Sequence, residues 1–119
     1  VIQAGSVGFD SQATTAKLID LLSEASSQGA QLAVFPEAFI GGYPKGLTFG
    51  APVGRRTEEG RKEFLQYFNA AITLDGPEIT QIITASKELD VFVVAGVIER
   101  VNQTLYCSAV FILSHLGIW

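Results

Sequence analysis

The chain has 119 residues and a mass of 12.7 kDa, so it contains at most one ordinary domain. Hydrophobic residues make up 48% of it and charged residues 17%, which is enough to build a sizeable core and excludes intrinsic disorder. The net charge of −4 argues against a nucleic-acid partner, because such proteins neutralise phosphates with lysine and arginine. One cysteine and one histidine exclude an internal disulfide and argue against a metal site made of protein ligands. No apolar run is long enough to span a bilayer, so we expect no membrane association.

The first third of the chain predicts a strand, a helix and a second strand. Ile2–Val7 is a short apolar run that ends at a glycine, which is typical of a strand. A helix is predicted over Ser11–Gln28, because capping residues precede a pattern of apolar positions three and four residues apart. Leu32–Phe35 is a second buried strand that stops at Pro36, which has no N–H for a ladder. Since a helix joins the two strands, we expect them to be parallel. The predicted inner face of the helix consists of Leu18, Leu21, Leu22 and Ala25.

The middle of the chain predicts a long loop and two helices. From Ala38 to Arg56 the sequence is rich in glycine, and loops of this length in compact domains are functional or disordered. Three aromatic residues favour a packed loop. Thr57 caps the next predicted helix, and Pro77 opens the last one, which we expect to end at Glu88. The aromatic residues of the loop are Phe39, Tyr43 and Phe49; the apolar stripe after Thr57 consists of Phe64, Leu65, Phe68 and Ile72; the inner face of the last helix consists of Ile79, Ile82, Ile83 and Ser86.

The end of the chain predicts a pair of antiparallel strands. Val91–Val97 is a continuous β-branched run, which indicates a strand buried on both faces. A polar turn over Glu99–Thr104 leads to a further strand at Leu105–Leu113. The predicted class is therefore α/β, with four strands in one mixed sheet. Two helices, Ser11–Gln28 and Pro77–Glu88, can cover one face of that sheet, and we expect apolar side chains to be exposed on the other face.

Glu37 is the residue that most clearly suggests chemistry. It stands just past the carboxyl end of a predicted buried strand, where ligands bind in open α/β sheets. Its apolar neighbours Phe35 and Phe39 would disfavour the charged form of the carboxylate, which suits a general base. A glutamate at this position could equally cap a backbone N–H or pair with an arginine. The residues alone favour neither interpretation.

Eight short segments along the chain carry a family resemblance, in order and with compatible spacing. They are Phe35–Pro44, Thr48–Gly50, Arg56–Thr57, Gly60–Arg61, Phe64, Asp75–Glu78, Gly96–Arg100 and Thr104–Cys107. Together they closely resemble the nitrilase family within the carbon–nitrogen hydrolase superfamily. Gly42–Pro44 and Ile98–Arg100 are more similar to true nitrilases than to the amidase or carbamoylase branches.

The resemblance implies an αββα sandwich, of which this chain would supply one incomplete four-stranded mixed sheet with helices on one face. It also implies a cysteine–glutamate–lysine mechanism that uses no cofactor and no metal. In that mechanism a thiolate attacks a nitrile carbon, a lysine stabilises the developing charge, and a glutamate is the general base. By its place in the motif, Glu37 is that glutamate. A small nitrile substrate, a homo-oligomeric full-length protein and a cytoplasmic location are further expectations.

The two ends of the chain limit this interpretation. There is no methionine at the start, and the chain stops at Trp119, short of the lysine motif and of the family's catalytic cysteine. We therefore interpret residues 1–119 as the amino-terminal part of one catalytic domain, and we expect them to be inactive alone. The alternatives are an amidase or carbamoylase with the same triad, or a truncated, inactive chain that binds full-length subunits.

Cys107 is the only thiol, and it lies in a predicted strand, outside the motif that holds the family's nucleophile. A free cysteine in such a run is most often a small buried hydrophobic residue whose thiol is unreactive, so we predict a structural role. His115 has no partner in the sequence, and we expect it to be solvated, as we do Arg55 and Arg56. The glycine-rich stretches fit neither a P-loop nor a dinucleotide fingerprint, which argues against nucleotide binding.

Overall fold

A computed structural model describes residues 1–50 and 56–118. Within this part of the chain it contains three helices and four strands. They are α1 (Ser11–Ser27), β1 (Leu32–Val34), α2 (Glu58–Ala70), α3 (Pro77–Leu89), β2 (Phe92–Val101), β3 (Thr104–Leu113) and β4 (Gly117–Ile118). The three predicted helices are confirmed. No helix in the described ranges is long and apolar enough to cross a membrane. The expectations for Arg55 and for the end of the glycine-rich loop fall outside the described residues.

The four strands form one mixed sheet in the order β1-β2-β3-β4, which confirms the predicted α/β class. β1 pairs parallel with β2, and β2 pairs antiparallel with β3 along nearly its whole length. The turn between them is shorter than predicted, because Glu99 and Arg100 belong to the ladder and only Asn102 and Gln103 lie between the paired residues. Asn102 has a φ of +55°, which asparagine tolerates better than most residues. β4 was not predicted from the sequence.

Ile2–Val7 is not a strand of this sheet, so the first strand prediction is wrong. The segment runs beside β1 with alternate residues half-buried, and the N–H of Ile2 donates to the carbonyl of Val34 at 2.8 Å. In a parallel ladder the next bond would run from the N–H of Pro36 to the carbonyl of Ile2, and proline has no N–H. The pairing therefore stops after one hydrogen bond, although Ile2 and Ala4 still pack against the core.

The core lies between the sheet and the helices α1 and α3. Leu18 and Leu22 of α1 and Ile82 of α3 are fully buried, as the helical pattern predicts. At the end of α3, the Ser86 hydroxyl donates to the carbonyl of Val91 at 2.7 Å and fixes the entry into β2. The sheet side chains that face these helices are Ala33, Val93, Ala95, Val97, Val110 and Ile112.

The opposite face of the sheet carries Leu32, Phe92 and Phe111, and we call these three residues the bare face. They are 52%, 41% and 44% exposed. The prediction that α1 and α3 cover one face is thus confirmed, whereas β2 is not buried on both faces at its start. The helix α2 lies at the other end of β2, where Tyr67 packs with Ile98 and Leu105 on the same side of the sheet as the bare face. There Ile72 exchanges backbone hydrogen bonds with Ile98 and Arg100.

The apolar stripe of α2 is not packed into the core. Phe64 and Leu65 are exposed, whereas Phe68 is half-buried and lies under the Arg100 guanidinium, 5.3 Å from its ring centroid. Ile72, just beyond the helix, is the buried member of the stripe. The helical spacing was sufficient to place α2 but not to identify what it packs against.

We expect the 119-residue chain to self-associate through the bare face, because soluble monomers seldom expose clustered large apolar side chains. Sedimentation velocity should show species larger than a monomer, and Phe111→Lys should shift them toward the monomer. Tyr106→Lys is the matched control, since Tyr106 is also exposed on β3 but points to the other side of the sheet. A wild-type chain that stays monomeric at tens of micromolar, with a cooperative melt, would contradict this expectation.

Candidate functional site

Glu37 follows β1 directly, and the backbone around it decides where its side chain points. The N–H of Phe35 donates to the carbonyl of Val94 at 2.8 Å, which is the last link between the end of β1 and β2. Ala38 then has a φ of +49°, a left-handed conformation that costs an alanine about 1–2 kcal/mol. Phe39, beyond this turn, is buried in the core, whereas Glu37 is exposed.

The expected environment of Glu37 is therefore wrong in one respect. Phe35 and Phe39 do flank it in sequence, but both rings are buried and pack on each other with centroids 5.4 Å apart. They do not bury the carboxylate, which is exposed and lies on the same side of the sheet as the bare face. This leaves Glu37 open to solvent and to any molecule that enters from that side.

Gly96 is what allows the Glu37 segment to lie directly on the sheet. A Cβ at this position would stand 2.4 Å from the carbonyl oxygen of Pro36 and 2.6 Å from the Cα of Glu37. On the far side of the turn, Ile40 is tied to β2 by two backbone hydrogen bonds, to Gly96 and to Ile98. The backbone that carries Glu37 is thus held at both ends and rests on a strand residue with no side chain.

Cys107 is exposed and contacts Glu37, so the prediction that it is a small buried hydrophobic residue is wrong. Its thiol donates to the Oε1 atom of Glu37, with sulfur and oxygen 3.4 Å apart. Cys107 pairs with Ile98 in the ladder, so its side chain leaves β3 on the side of the bare face, where Glu37 lies. This contact joins two residues that are 70 positions apart, and no sequence pattern indicated it.

The Glu37 carboxylate and the Cys107 thiol open into a cavity of about 420 Å³. Two further groups of its wall are the phenol of Tyr67, from α2, and the ring of Tyr43, from the glycine-rich loop. The remaining lining residues are Ala38, Pro44, Lys45 and Ile98. A cavity of this kind combines an acceptor, several donors and an apolar wall, and it suits a small neutral molecule with one polar end. Glu37 was expected at such a site from the sequence, whereas Tyr67 was not.

Aromatic contacts between α2 and the loops hold Tyr67 in place. Its ring stacks on Phe49 with centroids 5.5 Å apart, and Phe9 meets it edge-on at 6.3 Å. Phe49 and Phe39 confirm the prediction of a packed loop, whereas Tyr43, the third aromatic residue, is exposed. The loop therefore contributes to the site in two ways, by supporting Tyr67 and by lining the cavity.

The other residues singled out in the sequence lie away from this cavity. The Nε2 atom of His115 lies 3.3 Å from the Oδ1 atom of Asp90, with both side chains exposed, and Arg56 is exposed as expected. The Oε2 atom of Glu99 accepts a hydrogen bond from the Ser108 hydroxyl at 2.7 Å. Among the described residues, no three histidine, cysteine or acidic side chains are grouped so that they could hold a metal ion.

Partial burial of the sulfur raises the pKa of Cys107, and the hydrogen bond to Glu37 and the charge of its carboxylate raise it further. We therefore expect Glu37→Gln to lower the pKa of Cys107 and to speed the alkylation of Cys107 by iodoacetamide at pH 8, because the thiolate is the reactive form. Glu99→Gln is the control, since Glu99 bonds Ser108 instead. Mass spectrometry follows the reaction at the single thiol. An unchanged rate in Glu37→Gln would show that the carboxylate does not act on the thiol.

Comparisons with known proteins agree on one family. The family model for carbon-nitrogen hydrolase matches residues 1–115. An arylacetonitrilase of Trametes versicolor is 54% identical over 118 residues, which are 98% of this chain and 37% of that protein. A bifunctional nitrilase/nitrile hydratase of Nicotiana tabacum is 50% identical over 111 residues, which are 93% of this chain and 32% of that protein. The chain thus spans about a third of the length of these relatives.

A solved structure supports the same fold. It is that of a CN-hydrolase superfamily protein from Xanthomonas campestris, which aligns with a TM-score of 0.68 at 17% sequence identity. The alignment covers 100% of this chain and 37% of that protein. At this identity the likeness shows the fold alone.

Proposed function

This chain belongs to the carbon–nitrogen hydrolase family, and on that premise we propose that it is the amino-terminal part of an enzyme that hydrolyses nitriles to carboxylic acids and ammonia. The observation that carries the proposal is the place of Glu37, on a tethered turn at the carboxyl end of β1, with its carboxylate open to a cavity. The relatives named as nitrilases, about half identical over nearly the whole chain, support the same activity.

Glu37 is proposed to act as the general base. It would take the proton from a cysteine thiol as the sulfur bonds to the nitrile carbon, and that proton would pass to the nitrile nitrogen to give a thioimidate. It would next take a proton from a water molecule whose oxygen adds to the same carbon; both hydrogens of that water pass to the nitrogen, ammonia leaves, and a thioester remains. A second water releases the acid and restores the thiol. The overall reaction consumes one nitrile and two waters and yields one carboxylic acid and one ammonia.

The nucleophile and the lysine of this mechanism are proposed to lie outside residues 1–119. Cys107 does contact Glu37, but its raised pKa leaves little thiolate at neutral pH. By the resemblance to nitrilases, the nucleophile belongs to a motif other than the strand that holds Cys107. We therefore assign Cys107 to the wall of the cavity and not to the covalent step.

The proposal is tested with the whole protein that contains this chain. The purified protein is incubated separately with an aliphatic nitrile, an arylacetonitrile and their amides, and acid, amide and ammonia are quantified. We expect acid and ammonia in equal amounts from at least one nitrile. Acid formed from the amides alone would favour the amidase alternative, and no product from any of them would favour the inactive interaction partner.

A homo-oligomeric whole protein with a cytoplasmic location is part of the proposal.

A further inference from the structure

Tyr67 is the only described residue of α2 that lines the Glu37 cavity. Several contacts hold its ring in place. Beyond the two aromatic contacts with Phe49 and Phe9, it packs against the small cluster formed by Ala38, Ala71 and Ile98. Ala38 in that cluster directly follows Glu37, so the phenol and the carboxylate are positioned by the same packed group.

The two loop residues that hold Tyr67 both have strained backbones. Phe9 has a φ of +51° and Phe49 a φ of +50°, a region that is unfavourable for a bulky residue. Such strain persists only where the surrounding contacts determine the conformation, and it is concentrated at active sites and ligand-binding sites. Here both strained residues place an aromatic ring against Tyr67.

The hydroxyl of Tyr67 is available as a donor. No described residue accepts a hydrogen bond from it, and it shares the cavity with the Glu37 carboxylate. Burial raises the pKa of Tyr67, and the nearby Cys107 thiolate raises it further, so the phenol keeps its proton. Two other hydrogen-bond donors of the wall, Tyr43 and Lys45, are exposed on the loop.

We propose that Tyr67 is a substrate-binding residue whose hydroxyl donates a hydrogen bond to the polar end of a small nitrile or amide in the Glu37 cavity. The inference rests on the proposed function, and it adds to the glutamate a residue that orients the substrate. Fixing the acceptor atom of the substrate at the phenol would leave its carbon accessible to a nucleophile beside Glu37.

The first test uses the 119-residue chain and does not depend on nitrilase activity. Cys107, the only cysteine, reports on the cavity through alkylation by iodoacetonitrile, which carries a nitrile acceptor, or by allyl iodide, which carries no hydrogen-bond acceptor. In both reactions the thiolate sulfur bonds to the CH₂ carbon and iodide leaves. Changes in the thiolate fraction and in access to the thiol affect both rates and cancel in their ratio. The ratio therefore measures the effect of a hydrogen bond donated to the nitrile group of the reagent.

We expect Tyr67→Phe to lower this ratio about threefold to tenfold, the effect of one hydrogen bond, while the allyl iodide rate is unchanged. Tyr106→Phe, which also loses one phenol oxygen but lies outside the cavity, should leave the ratio at its wild-type value. Phe49→Leu keeps the hydroxyl but loosens the ring, and it should lower the ratio by a smaller factor. A wild-type ratio in Tyr67→Phe would overturn the proposal.

The second test uses the whole protein. Tyr67→Phe should raise KM for a nitrile about threefold to tenfold with little change in kcat, whereas a purely structural residue would lower the fraction of active enzyme and leave KM unchanged. A whole protein that hydrolyses no nitrile would refute the proposed function, and the alkylation ratio would still decide on Tyr67.

Discussion

Replacing Glu37 with glutamine in the whole protein should lower kcat/KM for a nitrile by about a hundredfold to ten-thousandfold, the usual effect of losing a general base. The amide of glutamine has nearly the shape of the carboxylate but cannot accept a proton. Because Glu37 is exposed and its side chain accepts a hydrogen bond from a thiol only, among the described residues, the thermal unfolding curve should not change.

Glu99→Gln is the matched control for this experiment. Glu99 is a carboxylate of the same sheet, and its hydrogen bond goes to Ser108, away from the cavity. It should retain wild-type kcat/KM within about twofold, since surface substitutions have small effects. A Glu37→Gln enzyme with wild-type turnover would mean that Glu37 only caps or supports the end of β1.

Gly96→Ala should destabilise the chain by about 1–3 kcal/mol, as overpacking of a tight contact does. The added methyl group would meet the backbone at Pro36 and Glu37 at 2.4–2.6 Å, and neither neighbour is a flexible side-chain end that could move aside. The turn that carries Glu37 would have to lift from β2, so the whole protein should lose activity as well. Alanine is otherwise tolerated better than glycine in a strand, so the expected loss of stability comes from the clash.

Urea unfolding of the variants measures this effect. Gly5→Ala is the control, because a Cβ at that position meets nothing within 4 Å, and its stability should match wild type. A Gly96→Ala chain as stable as wild type would show that the Glu37 turn does not rest on the strand. Alkylation of Cys107 in the same variant gives a second readout, since lifting the turn separates the carboxylate from the thiol.

Local patterns were enough to predict the helices and the class of the sheet. The periodicity of α1 and the proline at the start of α3 each determine a helix from residues close in sequence, and these elements are confirmed. The prediction of a strand at Ile2–Val7 was wrong because the pairing requires an N–H that Pro36 lacks. That cause lies in the neighbouring segment, and the apolar pattern of Ile2–Val7 does not show it. For β2 the apolar run was correctly assigned to a strand, but burial on both faces depends on what lies over the sheet.

The candidate site was predictable only at Glu37. A carboxylate after a buried strand is a local signal, whereas the turn that separates the exposed Glu37 from the buried Phe39 has a positive φ at Ala38, which an alanine does not suggest. Cys107 and Tyr67 reach the cavity through contacts distant in sequence. Alternation along β3 does place Cys107 on the same side as Phe111, but it cannot show that this part of the face holds a cavity.

We propose that residues 1–119 carry the base of a carbon–nitrogen hydrolase site and not its nucleophile. Ammonia release from a nitrile tests it most directly when three samples are compared: the whole protein, its Cys107→Ser variant and the 119-residue chain. We expect release by the whole protein and by the Cys107→Ser variant, and none above background by the 119-residue chain, because a lone base cannot form the covalent intermediate. Ammonia release by the 119-residue chain, abolished by Cys107→Ser, would contradict it.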